Sequence, residues 1–166
     1  TPTPELISEK VKEIRTKIPN ITLRTTFLVG FPGETDRDFE ELCDFIKEMQ
    51  FDRLGVFTYS HEEDTSAYKL EDSIPESVKI ERQNRLMEIQ RDISHSKNQQ
   101  KIGETVKVII DRKEAGGWIG RSEADSPEVD QEIHINVGKT KLSAGQFVEV
   151  KITDADDYDL MAELVS

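Results

Sequence analysis

The chain has 166 residues, is 35% hydrophobic and 34% charged, and carries a formal net charge of -12. That length suits one medium domain or two small ones, and the single cysteine, Cys43, excludes an internal disulfide and a self-sufficient zinc or iron–sulfur site. No apolar run approaches the roughly 20 residues that a membrane-spanning helix requires. The N-terminus lacks a signal-peptide pattern, so a cytosolic setting is the default expectation, and the acceptor pattern Asn20-Ile21-Thr22 is read as chance. The acidity repels phosphate backbones, which speaks against nucleic acid. It serves either solubility or attraction to a basic protein.

Leu6, Ile7, Val11, Ile14 and Ile18 recur at helical spacing, and Pro19-Asn20 ends the run. A chain that starts on a helix with no strand before it reads as cut from something longer. Residues 21–30 read as a strand with two unlike faces. Ile21, Leu23, Thr25, Phe27 and Val29 make a mostly apolar face, whereas Thr22, Arg24, Thr26 and Leu28 make a mostly polar one. Central strands of α/β proteins are usually apolar on both faces, so the polar face predicts a ligand-lined interior. Thr35 then caps a helix to about Met49, with Asp38 completing a capping-box variant. Phe39, Leu42, Cys43, Ile46 and Met49 form its stripe, which places Cys43 in the core.

Residues 54–60 read as a second strand, parallel to the first in a right-handed βαβ unit. A long helix opens at Pro75 and reaches about Ile102, with Val78, Leu86, Ile89 and Ile93 as a thin apolar stripe; Gly103 stops it. Five short strand-like runs follow: 106–110, 118–121, 132–137, 147–153 and 160–165. They predict a small antiparallel β-barrel. The fold class expected is α/β plus all-β, with the domain boundary between residues 103 and 104. Residues 104–166 hold 14 acidic and 7 basic side chains, a net of -7, so the barrel is the more acidic part per residue.

Val29-Gly30-Phe31-Pro32-Gly33-Glu34-Thr35 lies at the carboxyl end of a parallel strand, where α/β folds bind ligands. It is either a ligand-approaching turn or an ordinary strand-to-helix turn. It matches neither a P-loop nor a dinucleotide fingerprint. His61 lies at the same end without a companion ligand residue. His95 and His134 read as surface or packing residues.

Leu23-Arg24-Thr25-Thr26-Phe27-Leu28-Val29-Gly30-Phe31-Pro32-Gly33-Glu34-Thr35, followed by Phe39 and Phe45, resembles the fifth-strand region of radical S-adenosylmethionine methylthiotransferases. Arg53-Leu54-Gly55-Val56-Phe57-Thr58-Tyr59-Ser60 is similar to their sixth strand. Glu81-Arg82, Leu86-Met87, Gln90 and Ile93-Ser94 are similar to their last barrel helix. Gly145-Gln146-Phe147-Val148-Glu149-Val150-Lys151-Ile152 resembles the appended TRAM domain. A non-catalytic TRAM module that binds RNA or protein is one alternative reading of the chain; within the enzyme family there are two main branches, of which one modifies transfer-RNA adenosine. The other, RimO, methylthiolates an aspartate of a small-subunit ribosomal protein. Gly120-Arg121 with Asp125-Ser126-Pro127-Glu128-Val129-Asp130 resembles the RimO docking domain, as does the 51–57 segment.

The resemblance implies the C-terminal portion of a TIM-like partial barrel followed by a TRAM β-barrel. It implies a full-length parent that uses S-adenosylmethionine and two 4Fe–4S clusters, one held by three cysteines. Reductive cleavage would give a 5′-deoxyadenosyl radical that abstracts hydrogen from the aspartate β-carbon. The second cluster would supply sulfur, and a further S-adenosylmethionine the methyl group. Electrons would come from a reducing donor protein, and the substrate would be a basic small-subunit ribosomal protein. The cluster ligands belong to upstream segments, with a Cys-x-x-x-Cys-x-x-Cys motif expected there, so this chain should bind no cluster and show no turnover. A strand edge exposed where earlier strands are missing invites swapping or a non-native dimer.

By the same analogy Val29, Gly30 and Phe31 would pack near the adenine, with Phe57 and Tyr59 at the matching end of the next strand. Arg24 and Thr26 would meet polar groups of substrate or cofactor; the alternative for Arg24 is an ion pair closing the barrel, and the aromatics are alternatively core. Trp118 is either barrel core or a partner anchor. Arg121 would pair with Asp125 or reach a partner. Glu123, Asp125, Glu128 and Asp130 form an acidic loop, either merely solvated or docking the lysines and arginines of a ribosomal protein.

Overall fold

A computed structural model describes residues 3–114, 116–127, 129–138 and 140–165. Contacts divide the chain into two units, Thr1–Ile93 and Ser94–Ser166.

The first unit holds α1 (Pro4–Lys17), β1 (Arg24–Val29), α2 (Asp36–Met49), β2 (Arg53–Thr58), a short 3-10 turn (Ser66–Lys69) and most of α3 (Glu76–Gln100). The starts of α1 and α2 follow from local chemistry. Thr3 caps α1 ahead of Pro4. Thr35 caps α2 in a reciprocal pair with Asp38, as the sequence predicts. Gln50 ends α2 in the left-handed region. Arg15 of α1 donates to the last carbonyls of that helix, Met49 at 2.5 Å and Gln50 at 2.9 Å, which would otherwise lack donors.

β1 and β2 pair in parallel, with Arg24 opposite Arg53, Thr26 opposite Gly55 and Leu28 opposite Phe57. No third strand joins them among the described residues. The two faces differ as the alternation predicts. Phe27 and Val29 turn toward a core built with Phe39, Cys43, Ile46, Val56, Leu86 and Ile93. Arg24, Thr26 and Leu28 lie on the exposed face. Phe27, Phe45 and Phe51 meet edge-on or tilted at 6.0–6.2 Å and continue the core toward Val11 of α1.

α3 departs from the thin apolar stripe expected of it. Leu86 and Ile93 are buried, but so are Lys79, Arg82 and Gln90. Amide side chains of the helix bond to β2 and the segment just before it: half-buried Gln83 donates to the Val56 carbonyl at 2.7 Å, and buried Gln90 to that of Phe51 at 3.0 Å.

The second unit is a closed barrel of β3 (Thr105–Glu114), β4 (Gly117–Arg121), β5 (Ile133–Asn136), β6 (Phe147–Ala155) and β7 (Leu160–Leu164), in the order β3-β4-β5-β7-β6. All five strands fall where alternation and glycine punctuation predict them. The purely antiparallel expectation is corrected: β5 and β7 run parallel, from Ile133 opposite Leu160 to Asn136 opposite Glu163. The barrel is therefore mixed, because β6 lies between them in sequence and returns the chain before β7 inserts. Val108, Ile110, Ile133, Ile135, Val150, Ile152 and Leu160 fill its interior. Gly120 is required where strands crowd, since a Cβ there would stand 2.5 Å from Val108 Cγ1 and 2.6 Å from the Ile109 carbonyl oxygen.

Candidate cofactor wall and docking surface

The residues expected near a nucleoside separate into three groups. Arg24, Thr26 and Phe57 share the exposed face of the two-stranded sheet, and Phe57 is 62% exposed beside Leu28. Val29 and Tyr59 turn inward and are buried. Gly30 and Phe31 form the exit of β1, where the Phe31 ring meets the Tyr59 ring at 5.3 Å. Arg24 begins β1 and Gly30 follows its end, so the two are about 20 Å apart along a strand rising roughly 3.3 Å per residue.

The aromatic line continues from Tyr59 to His61 at 6.2 Å and on to Tyr68 at 4.6 Å. The Tyr59 hydroxyl lies 3.3 Å from His61 Nδ1. Tyr59, His61 and Tyr68 thus form one ring cluster beyond β2.

Two buried cations on α3 complete this end of the sheet, and neither was signalled by the apolar pattern. Arg82 Nη1 is 2.6 Å from Glu34 Oε1, and Nη2 is 2.7 Å from Asp36 Oδ1. Both Glu34 oxygens accept the Gly30 N–H at 3.1 Å. Lys79 Nζ donates to the Tyr59 carbonyl at 3.2 Å and to Asp72 at 2.6 Å. Its ammonium lies 5.3 Å from the Tyr59 ring centre. The positive φ of Gly30, +74°, and the Lys79 stem packed against it explain the glycine there. The sequence signal that could have exposed this cluster is the i, i+3 spacing of Lys79 and Arg82 on the same helical face as Leu86.

An iron–sulfur cluster does not fit the residues present. Cys43 is buried in the core face of α2, burial pushes its thiol pKa up, and no group of three metal-ligating side chains occurs among the described residues. No helix among them is long and apolar enough to cross a membrane.

On the barrel, Trp118 is half-buried against the interior cluster. It also lines a groove of about 380 Å³ with His134, Asn136, Met161 and Glu163. Arg121 pairs with Asp111, not with Asp125. Asp125 is only 8% exposed and accepts from the Ser122 hydroxyl at 2.6 Å, which turns it into the loop's own bonding. Asp130 accepts the Ser126 N–H at 2.8 Å, and Glu123 is exposed. Glu128 lies outside the described residues. Arg121, Asp130, Asp111, Arg112 and Glu132 line a second cleft of about 240 Å³. At the β6–β7 turn, Asp156 accepts the Tyr158 N–H at 2.8 Å and the Asp159 N–H at 2.6 Å, and these bonds hold its carboxyl below the usual range.

Residues 102–165 match the TRAM domain family. Over 155 residues, 93% of the chain, the sequence is 53% identical to the ribosomal protein uS12 methylthiotransferase RimO of Cytophaga hutchinsonii. Identity to the RimO of Christiangramia forsetii is 52% over 97% of the chain, and to that of Cronobacter sakazakii 49% over 94%. The chain spans only 35–36% of the length of these three relatives.

Proposed function

Because the chain carries a TRAM domain and is kin, over nearly its whole length, to the C-terminal portion of RimO methylthiotransferases, we propose that it is part of an enzyme that methylthiolates an aspartate of ribosomal protein uS12. The observation that carries this reading is an overall identity of 52–53% over alignments that take in 93–97% of the chain, and so residues of both units.

In this reading residues 1–103 end a radical S-adenosylmethionine barrel, and residues 104–166 form its substrate-docking module. The open edge of β1 is where preceding strands of the barrel would pair. Leu28 and Phe57 on the exposed face, with Phe31 at the strand exit, offer apolar surface to the cofactor's nucleoside. Arg24 and Thr26 offer polar contacts farther along the same face. S-adenosylmethionine, when bound, supplies the radical precursor and the methyl group. This chain's residues hold and orient it, while the clusters belong to upstream cysteines.

The barrel's net charge of -7 favours a basic protein partner over RNA. Trp118 and Arg121 on β4 and Glu123 and Asp130 in the loop after it are the candidate contacts, with Asp125 shaping that loop. Incubating the full-length, cluster-loaded protein with uS12, excess S-adenosylmethionine and a chemical reductant should add one methylthio group to an aspartate, its sulfur drawn from the loaded cluster and its methyl from S-adenosylmethionine, read by tandem mass spectrometry. Modification of transfer-RNA adenosine instead, at matched salt, would assign the chain to the other branch.

A further inference from the structure

We propose that Arg82 and Lys79 are positioning residues that hold the exits of β1 and β2 in the arrangement the cofactor's nucleoside requires. This rests on the reading above that those exits face the cofactor.

The two side chains stand one helical turn apart on α3 and are 6% and 3% exposed. Buried cations are costly, and well-packed apolar residues of similar size usually serve stability as well or better. Their partners show what the charge does here. Arg82 grips Glu34, and Glu34 in turn accepts the Gly30 N–H with both oxygens. The guanidinium thus fixes, through one carboxylate, the backbone that leads into Phe31. A second nitrogen of the same fork reaches Asp36 at the start of α2, so Arg82 sets both ends of the turn between strand and helix.

Lys79 does the equivalent work one strand over. Its ammonium binds the Tyr59 carbonyl and is anchored by Asp72. Its methylene stem fills the space beside Gly30. The Phe31–Tyr59 ring contact joins the two exits directly. One helix face therefore adjusts the spacing of both strand ends, and neither cation itself needs to touch the ligand.

The test uses the full-length, cluster-loaded protein and S-adenosylhomocysteine, a probe that needs no turnover, with dissociation constants from calorimetry and melting curves alongside. Glu34→Gln keeps size and an acceptor oxygen but loses the charge that Arg82 holds. It is expected to weaken the probe roughly tenfold, as loss of a supporting contact commonly does, while the protein stays folded. Arg82→Met should weaken it at least as much. Arg82→Lys should recover only part, because a single ammonium cannot replace the two-pronged grip. Glu40→Gln, which breaks the exposed Arg85–Glu40 pair, should leave affinity unchanged. If Arg82→Met does not fold, Glu34→Gln decides. Wild-type protein that fails to bind the probe refutes the reading of the cofactor wall itself. Wild-type binding with Glu34→Gln within twofold of it refutes the positioning role.

Discussion

The stem of Lys79 fills the space in front of Gly30: a Cβ on that glycine would stand 2.4 Å from Lys79 Cγ and 2.9 Å from Cδ. Gly30 also sits at φ +74°, where a side chain is strained. Gly30→Ala therefore combines backbone strain with displacement of a buried cation. We expect a loss of about 2–4 kcal/mol in urea unfolding. A loss below about 0.5 kcal/mol would mean that Lys79 moves aside freely and that the packing described here is loose.

Cys43 should be chemically silent in the folded protein. Its thiol lies in the core face of α2, and burial raises its pKa above the ordinary 9.0. At pH 8 a thiol reagent should label it only as fast as the chain opens, and at once in denaturant. The sign of the pH effect follows. Above about pH 9 the unfolded chain gives up a proton that the folded chain keeps, so this group's contribution to stability is complete below that pH and is lost as pH rises through the raised pKa. Rapid native-state labelling would contradict the burial.

The α2 capping pair gives a separable prediction. Thr35→Ala removes the hydroxyl that accepts the Asp38 N–H at 3.2 Å, and should cost about 1 kcal/mol. The Asp38 carboxyl is held below its ordinary range, chiefly by the Thr35 hydroxyl and then by the Thr35 N–H. Its stabilising effect is thus present above about pH 4 and disappears as pH falls through the lowered pKa. In the Thr35→Ala variant the acid-side slope of stability should flatten; an unchanged slope would assign it to other carboxylates.

Docking should read out as a rate. Glu123 is exposed, and the hydrogen bonds that shape its loop run between Ser122 and Asp125 and between Ser126 and Asp130, so replacing it leaves them intact.

 Glu123→Lys is expected to slow association of the full-length protein with uS12 about threefold at low salt, with little change in dissociation, because rim charges act mainly on encounter. The difference should shrink as salt rises. An association rate that rises on charge reversal would show that a basic partner does not approach this loop.

Much of the fold was legible because the signals are local. Thr35 and Asp38 announce the start of α2, and the alternation from Arg24 to Val29 sorts the two faces of β1 correctly. The five barrel strands follow from short alternating runs between glycines. Direction was not legible: nothing in the sequence of β7 says that it pairs parallel to β5, because pairing partners are chosen by long-range closure. The cations were missed for a related reason. Lys79 and Arg82 lie outside the apolar stripe expected of their helix, and only the fold brings Glu34, Asp36 and Asp72 to them. Likewise Asp125 reads as an exposed acid, but the loop folds it inward onto Ser122.

The insertion of β7 between β5 and β6 has a consequence for biosynthesis. The ring cannot shut until the last strand has left the ribosome, since β5 and β6 each lack a neighbour without it. Without it the other four strands could form at most an open ribbon, β6-β3-β4-β5, with two sticky margins, and Leu160–Leu164 is the keystone that shuts it. Chains that stall or are clipped before that point would be the ones that aggregate.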